Sequence, residues 1–89
     1  MATQRVPLRQ ALGVRLRHLR LQRGVTSQEK LADLAGVHRT YIGRLERGES
    51  GVTVDTLVTV LAALSVSLAE FFRPFSEPKA SRTPRRRFE

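Results

Sequence analysis

Ser27-Gln-Glu-Lys-Leu-Ala-Asp-Leu-Ala-Gly-Val-His-Arg-Thr-Tyr-Ile-Gly-Arg-Leu-Glu-Arg-Gly48 holds two apolar periodicities separated by a glycine. In the first, Leu31, Leu34 and Ala35 recur at the spacing of one helical face. Ala32 is small enough for a second helix to come close. Gly36 permits a tight turn because it tolerates positive φ. The second helix starts at about His38 and ends before Gly48, and His38 itself is placed to cap it. Val37 and Ile42 have the spacing of a hydrophobic staple, which fixes how the chain enters that helix. Thr26-Ser-Gln-Glu29 makes a capping box ahead of the first helix, and we place the cap at Thr26 in preference to Ser27.

At about 100° per residue, Arg39, Gly43, Arg47, Thr40 and Arg44 fall on one arc of roughly 140°. Tyr41, Leu45, Ile42 and Glu46 occupy the remainder. One side therefore buries apolar groups while the other presents three arginines and a threonine around a bare glycine, at which the helix backbone can approach another surface. That shape suits a DNA major groove, where arginine bonds both acceptors of a guanine edge and threonine touches a thymine methyl.

Working outward, Leu8, Leu12, Leu16 and Leu19 predict a first helix from Leu8 to Arg23, with Arg9, Arg15, Arg17, Arg20 and Arg23 on its other faces. Gly24 is suited to end it in a left-handed conformation. After the loop Gly48-Glu-Ser-Gly-Val, Thr53 caps a fourth helix whose apolar set is Val54, Leu57, Val58, Leu61 and Leu64. Ser67-Leu-Ala-Glu70 is a capping box that opens a short fifth helix through Phe72. Pro74 and Pro78 close the ordered part. The expected organisation is one all-α, five-helix domain over residues 8–75, followed by a flexible basic tail over 76–89.

Composition agrees with a small intracellular domain. The 89 residues suffice for one domain, and with no cysteine there is neither a disulfide nor a thiolate metal site. The start lacks the apolar core of a secretory signal, and Val52–Phe72 is too broken by polar residues to span a membrane, so a cytoplasmic location is expected. The net charge of +8 is dominated by arginine, which pairs with phosphate bidentately. Lys79, Arg82, Arg85, Arg86 and Arg87 against Glu89 make the tail basic, which fits either a further source of phosphate attraction or a solvated, untethered end. His18 and His38 have no metal-ligand spacing, and no nucleophile–base pair or phosphate-cradling glycine loop is present. Neither an enzyme nor a cofactor is expected.

The stretch from Ser27 to Gly48 resembles the helix-turn-helix of the Xre/Cro, lambda-repressor-like family. The likeness rests on Gln28, Leu31-Ala32, Ala35-Gly36-Val37, Ile42 and Leu45-Glu46-Arg47-Gly48. It extends to Leu16-Arg17 and Leu19-Arg20 before them, and to Thr53, Leu57, Ala63-Leu64 and Leu68 after them. Arg39-Thr40-Tyr41-Ile42 with Glu46-Arg47-Gly48 looks like the small controller proteins of restriction–modification systems, although Gly43 stands where serine is common there. The resemblance implies a regulator that binds duplex DNA, with base contacts from Arg39, Thr40 and Arg44. Gln28 would contact the DNA backbone; Tyr41 either joins it there or packs half-buried, and Arg47 either touches a phosphate or caps the helix end. It also supplies Arg20 as the partner that the inward-facing Glu46 needs.

Phe71, Phe72 and Phe75 form a dense aromatic cluster, and Val60 and Ala63 lie off the main stripe of helix four. We expect these five to build a homodimer seam that sets two recognition helices one DNA turn apart, roughly 34 Å, over an inverted repeat. Two other functions fit the same chain: an antitoxin that also silences a protein partner, and a protein- or RNA-binding adaptor. The latter lacks an obvious platform of stacking aromatics.

Overall fold

The computed structural model describes residues 7–49 and 52–76. Among them the elements are α1 (Leu8–Gln22), α2 (Gln28–Ala35), α3 (Arg39–Glu46), α4 (Val54–Ala63) and α5 (Leu68–Ser76), with no strand. No single helix among them is long and apolar enough to cross a membrane. The segment expected to form a basic tail lies outside the described residues apart from Ser76, which ends α5.

The helix ends follow local chemistry. Gly24 and Gly36 take left-handed φ of 80° and 73°, returning Val25 N–H to Arg20 O and Val37 N–H to Ala32 O. Ser27, not Thr26, caps α2, accepting from Lys30 N–H at 3.0 Å. The helix starts one residue later than the capping box implies, and Lys30 cannot reciprocate. Thr53 caps α4 through Thr56 N–H. Ser67 accepts from Glu70 N–H, but the expected return bond from Glu70 is not made, because its carboxylate turns to Arg23 at 3.0 Å.

The core is formed by Leu16, Leu19, Leu31, Ala32, Ile42, Leu45, Leu57, Val60, Leu61, Leu64 and Phe71, with Val25 and Val66 closing its edges. Two helices bury a different face from the one expected. On α4 the buried set is Leu57, Val60, Leu61 and Leu64, whereas Val54 and Val58 are 67% and 43% exposed. Leu34 on α2 is likewise 58% exposed. On α4 both apolar sets satisfy helical spacing, and packing against its neighbours selects the second.

Most arginines of α1, and Arg23 at its C-cap, act as internal fasteners. Arg9 Nε donates to Gly48 O at 2.8 Å, which ties the end of α3 to the start of α1. Arg23 Nε donates to Leu64 O at 3.1 Å. Arg15 Nη2 donates to Glu70 O at 2.7 Å and its Nε to Phe71 O at 2.9 Å. This last clamp explains a correction to the sequence reading: Pro74 does not close the domain but lies inside α5. A proline has no N–H for the carbonyl four residues earlier, and Arg15 supplies the donor to that carbonyl, Glu70 O.

Gly13 positions α1 against α3. A Cβ there would lie 2.6 Å from Glu46 O, so a glycine is required for the two backbones to meet. That contact places the end of α3 on the first helix and leaves its opposite side facing outward.

Candidate nucleic-acid interface

The recognition surface is built from the inside of α3 outward. Glu46 is buried on the inner side of α3, where Arg20 holds it by two bonds: Nε to Oε2 at 2.7 Å and Nη2 to Oε1 at 3.1 Å. Arg20 Nη1 donates to Val25 O, so the guanidinium is satisfied on three sides. Gln28 Nε2 donates to Glu46 Oε1 at 3.1 Å. A buried charge is tolerable when it is paired and fully hydrogen-bonded, and this network joins α1, α2 and α3 at one point. Ile42 and Leu45 bury the rest of the inner face.

The outer face carries Arg39, Thr40 and Arg44, all exposed. His38 starts the helix, with Nδ1 accepting Thr40 N–H at 3.1 Å. Arg39 Nη1 is 3.9 Å from Glu29 Oε1, and both side chains are 68% exposed. At that exposure and distance the pair contributes little, so Arg39 is available to another acceptor. Tyr41 is half-buried against the core. Arg17 lines the same polar concavity as Ser27, Gln28, Arg39 and Thr40; its position on α1 was legible, its place beside the recognition helix was not.

Two expected features differ. Gly43 is buried, because the Gln28 and Arg47 side chains lie over it: a Cβ there would be 3.0 Å from Gln28 Oε1 and 3.2 Å from Arg47 Nη1. Arg47 is held by Glu49, with Nε to Oε2 at 2.7 Å and Nη2 to Oε1 at 3.2 Å. The hydrogen bonds from Arg47 hold the Glu49 carboxyl below its ordinary range. In the sequence Glu49 reads only as a loop residue, although an acidic residue two positions beyond a helix-ending arginine is the signal of this pairing.

Val60 and Phe71, expected at a dimer seam, are fully buried within the single chain and offer no area to a partner. Helix four rolls Val60 inward, and Phe71 faces the core from α5. Phe72 and Ala63 are half-buried and Phe75 is 39% exposed. Phe72 stacks edge-on with Phe71, ring centroids 5.0 Å apart, and Phe75 lies 6.0 Å from Phe72. Among the described residues no cluster of three or more His, Asp or Glu side chains is gathered for a metal.

The helix-turn-helix family model HTH_3 matches residues 16–71, from the middle of α1 into α5. The chain is 52% identical over 42 residues to the control protein C.SmaI of Serratia marcescens, covering 47% of this chain and 50% of that protein. It is 41% identical over 59 residues to the control protein C.BamHI of Bacillus amyloliquefaciens, covering 66% of this chain and 73% of that one. The crystal structure of the restriction-modification controller protein C.AhdI from Aeromonas hydrophila superposes with a TM-score of 0.67 at 40% identity, covering 71% of this chain and 90% of that one. With the family match spanning both helices of the motif and the core that supports them, the chain belongs to the HTH_3 helix-turn-helix family, an Xre-like class of non-enzymatic, DNA-binding transcription regulators.

Proposed function

We propose that this protein is a sequence-specific regulator that inserts α3 into the major groove of an operator. Arg39, Thr40 and Arg44 are its base-contacting residues. Gln28 and Tyr41 flank them toward the phosphates; the second N–H of the Gln28 amide remains for a phosphate oxygen once the first is given to Glu46. One observation carries the reading. The exposed side of α3 is arginine and threonine, while the Arg20–Glu46–Gln28 network fixes its inner side. Readers held on a rigid element are positioned for bidentate base contact.

The assembly we propose is a homodimer over an inverted repeat, its seam formed by Phe72, Phe75, Ala63 and the exposed Val58 and Leu68. The folded unit covers 8–76, and the basic residues beyond it add sequence-independent attraction to phosphate. The naming of C.AhdI as a restriction-modification controller, beside the control proteins C.SmaI and C.BamHI, supports a role in controlling restriction–modification genes, and we place that role in the cytoplasm. Sedimentation equilibrium with an inverted-repeat duplex and with its half-site tests this assembly. Two chains on the full repeat and weak binding to the half-site are expected. One chain on each with equal affinity would contradict it.

A further inference from the structure

Arg47 was expected at a phosphate, but its surroundings fit a different contact. Glu49 grips one edge of its guanidinium, using Nε and one N–H of Nη2. The end of the fork, Nη1 and the second N–H of Nη2, is left without a protein acceptor among the described residues. That end lies over Gly43: a Cβ on this glycine would sit 3.2 Å from Nη1. Gly43 is one turn earlier on α3 and shares the arc of Arg39, so the free end of the fork lies along the face proposed to enter the groove.

A phosphate contact needs only a positive charge on a flexible stem, and a neighbouring carboxylate would weaken it. An arginine held along one edge, with its end presented over a helix face, has two parallel N–H groups at the spacing of guanine O6 and N7. We propose that Arg47 reads a guanine and that Glu49 is its positioning residue, an inference that rests on α3 being the recognition helix. Glu49 also acts against the wrong sequence. Where no guanine receives the fork, its carboxylate meets the phosphates unrewarded, and discrimination arises from such a repulsive element as much as from the attractive one.

The test uses the full chain and a duplex selected by the wild-type protein from a randomised pool. Each guanine of the selected site is replaced in turn by 7-deazaguanine, which removes N7, and affinity is followed by fluorescence anisotropy for wild type, Arg47→Lys and Glu49→Gln. One guanine per half-site should cost the wild type about tenfold on losing N7. That sensitivity should vanish in Arg47→Lys, which keeps the charge but lacks the fork. Glu49→Gln should weaken the selected duplex several-fold and leave a scrambled duplex unchanged or bound more tightly. Both side chains are exposed, so thermal melting should show all three proteins equally folded. Arg47→Lys retaining every deazaguanine effect would overturn the proposal, as would Glu49→Gln tightening selected and scrambled duplexes alike. Failure of the wild type to select any sequence would instead remove the recognition helix reading itself, and this inference with it.

Discussion

Arg15 on α1 completes the hydrogen bonding of a helix that Pro74 interrupts: its Nη2 lies 2.7 Å from Glu70 O, the carbonyl left without a donor four residues before the proline. A proline inside a helix costs about 3 kcal/mol when nothing compensates. Here a charged donor from another helix takes the vacant position, and its Nε also bonds Phe71 O. Arg15→Ala should therefore destabilise the fold by about 2 kcal/mol. In the Pro74→Ala background, where residue 74 can donate, the loss should be smaller by at least about 0.5 kcal/mol. Urea denaturation of the four proteins measures the coupling, and strict additivity would contradict the relationship.

The buried network at Glu46 makes a second prediction. Glu46→Gln leaves Arg20 charged and buried, a loss of about 3 kcal/mol, which lowers Tm by more than about 10 °C for a domain of this size. A variant that melts with the wild type would show that the pair does not pin α3.

Gly13 and Gly43 should respond in opposite ways to the same change. At Gly13 a Cβ would meet backbone atoms of α3 at 2.6 and 2.8 Å, and these cannot swing aside. Gly13→Ala should cost about 2 kcal/mol or more in thermal denaturation. At Gly43 the near atoms are ends of flexible side chains, so Gly43→Ala should melt no lower than wild type, helped by helix propensity. It should nonetheless bind its selected duplex several-fold more weakly, because the ends of Gln28 and Arg47 are displaced. Equal effects of the two substitutions on stability would contradict this division.

The Arg47–Glu49 pair gives a pH expectation with a definite sign. The carboxyl of Glu49 is held below its ordinary range by the hydrogen bonds from Arg47. The pair's contribution is thus present above the unfolded value, about 4.3, and is lost as pH falls through the lower folded value. The carboxyl carbon of Glu49, followed by NMR, should titrate at lower pH in the wild type than in Arg47→Gln. Identical titrations would mean that the two side chains are not paired in solution.

The fold's order of helices, its turns at Gly24 and Gly36 and the two-faced character of α3 were legible as periodicity and punctuation. The faces of α2 and α4 were not. On α4, Val54-Leu57-Val58-Leu61 and Leu57-Val60-Leu61-Leu64 are equally good helical stripes, and only the packed neighbours decide between them. The extension of α5 past Pro74 was hidden because its compensation comes from Arg15, far away in the chain. Gly13 left a usable trace: an isolated glycine inside a helical pattern costs about 1 kcal/mol and so asks for a packing reason. Reading the arginines of α1 and its C-cap as surface charge missed that Arg9, Arg15, Arg20 and Arg23 bond the protein's own carbonyls and carboxylates. For that reason the net charge overstates what is free to meet phosphate.

The proposed dimer seam loses Val60 and Phe71 to the core, keeps Ala63, Phe72 and Phe75, and takes in the exposed Val58 and Leu68. Phe75→Ser should shift the sedimentation equilibrium toward monomer while leaving Tm within a few degrees, since this ring is largely outside the core. Phe71→Ser should instead unfold the chain, as removing a buried phenylalanine costs about 3–5 kcal/mol. A Phe75→Ser protein as dimeric as wild type would place the seam elsewhere.

The most direct test of the central claim is an anisotropy titration of wild type and Arg39→Ala on duplexes tiling the DNA upstream of the gene, at two salt concentrations. The account predicts tight binding to one tile and a loss of about 1–3 kcal/mol on that tile in the variant, with little change on the others. Binding that is equal on every tile, steeply salt-dependent and indifferent to Arg39 would reduce the interaction to phosphate attraction and contradict it.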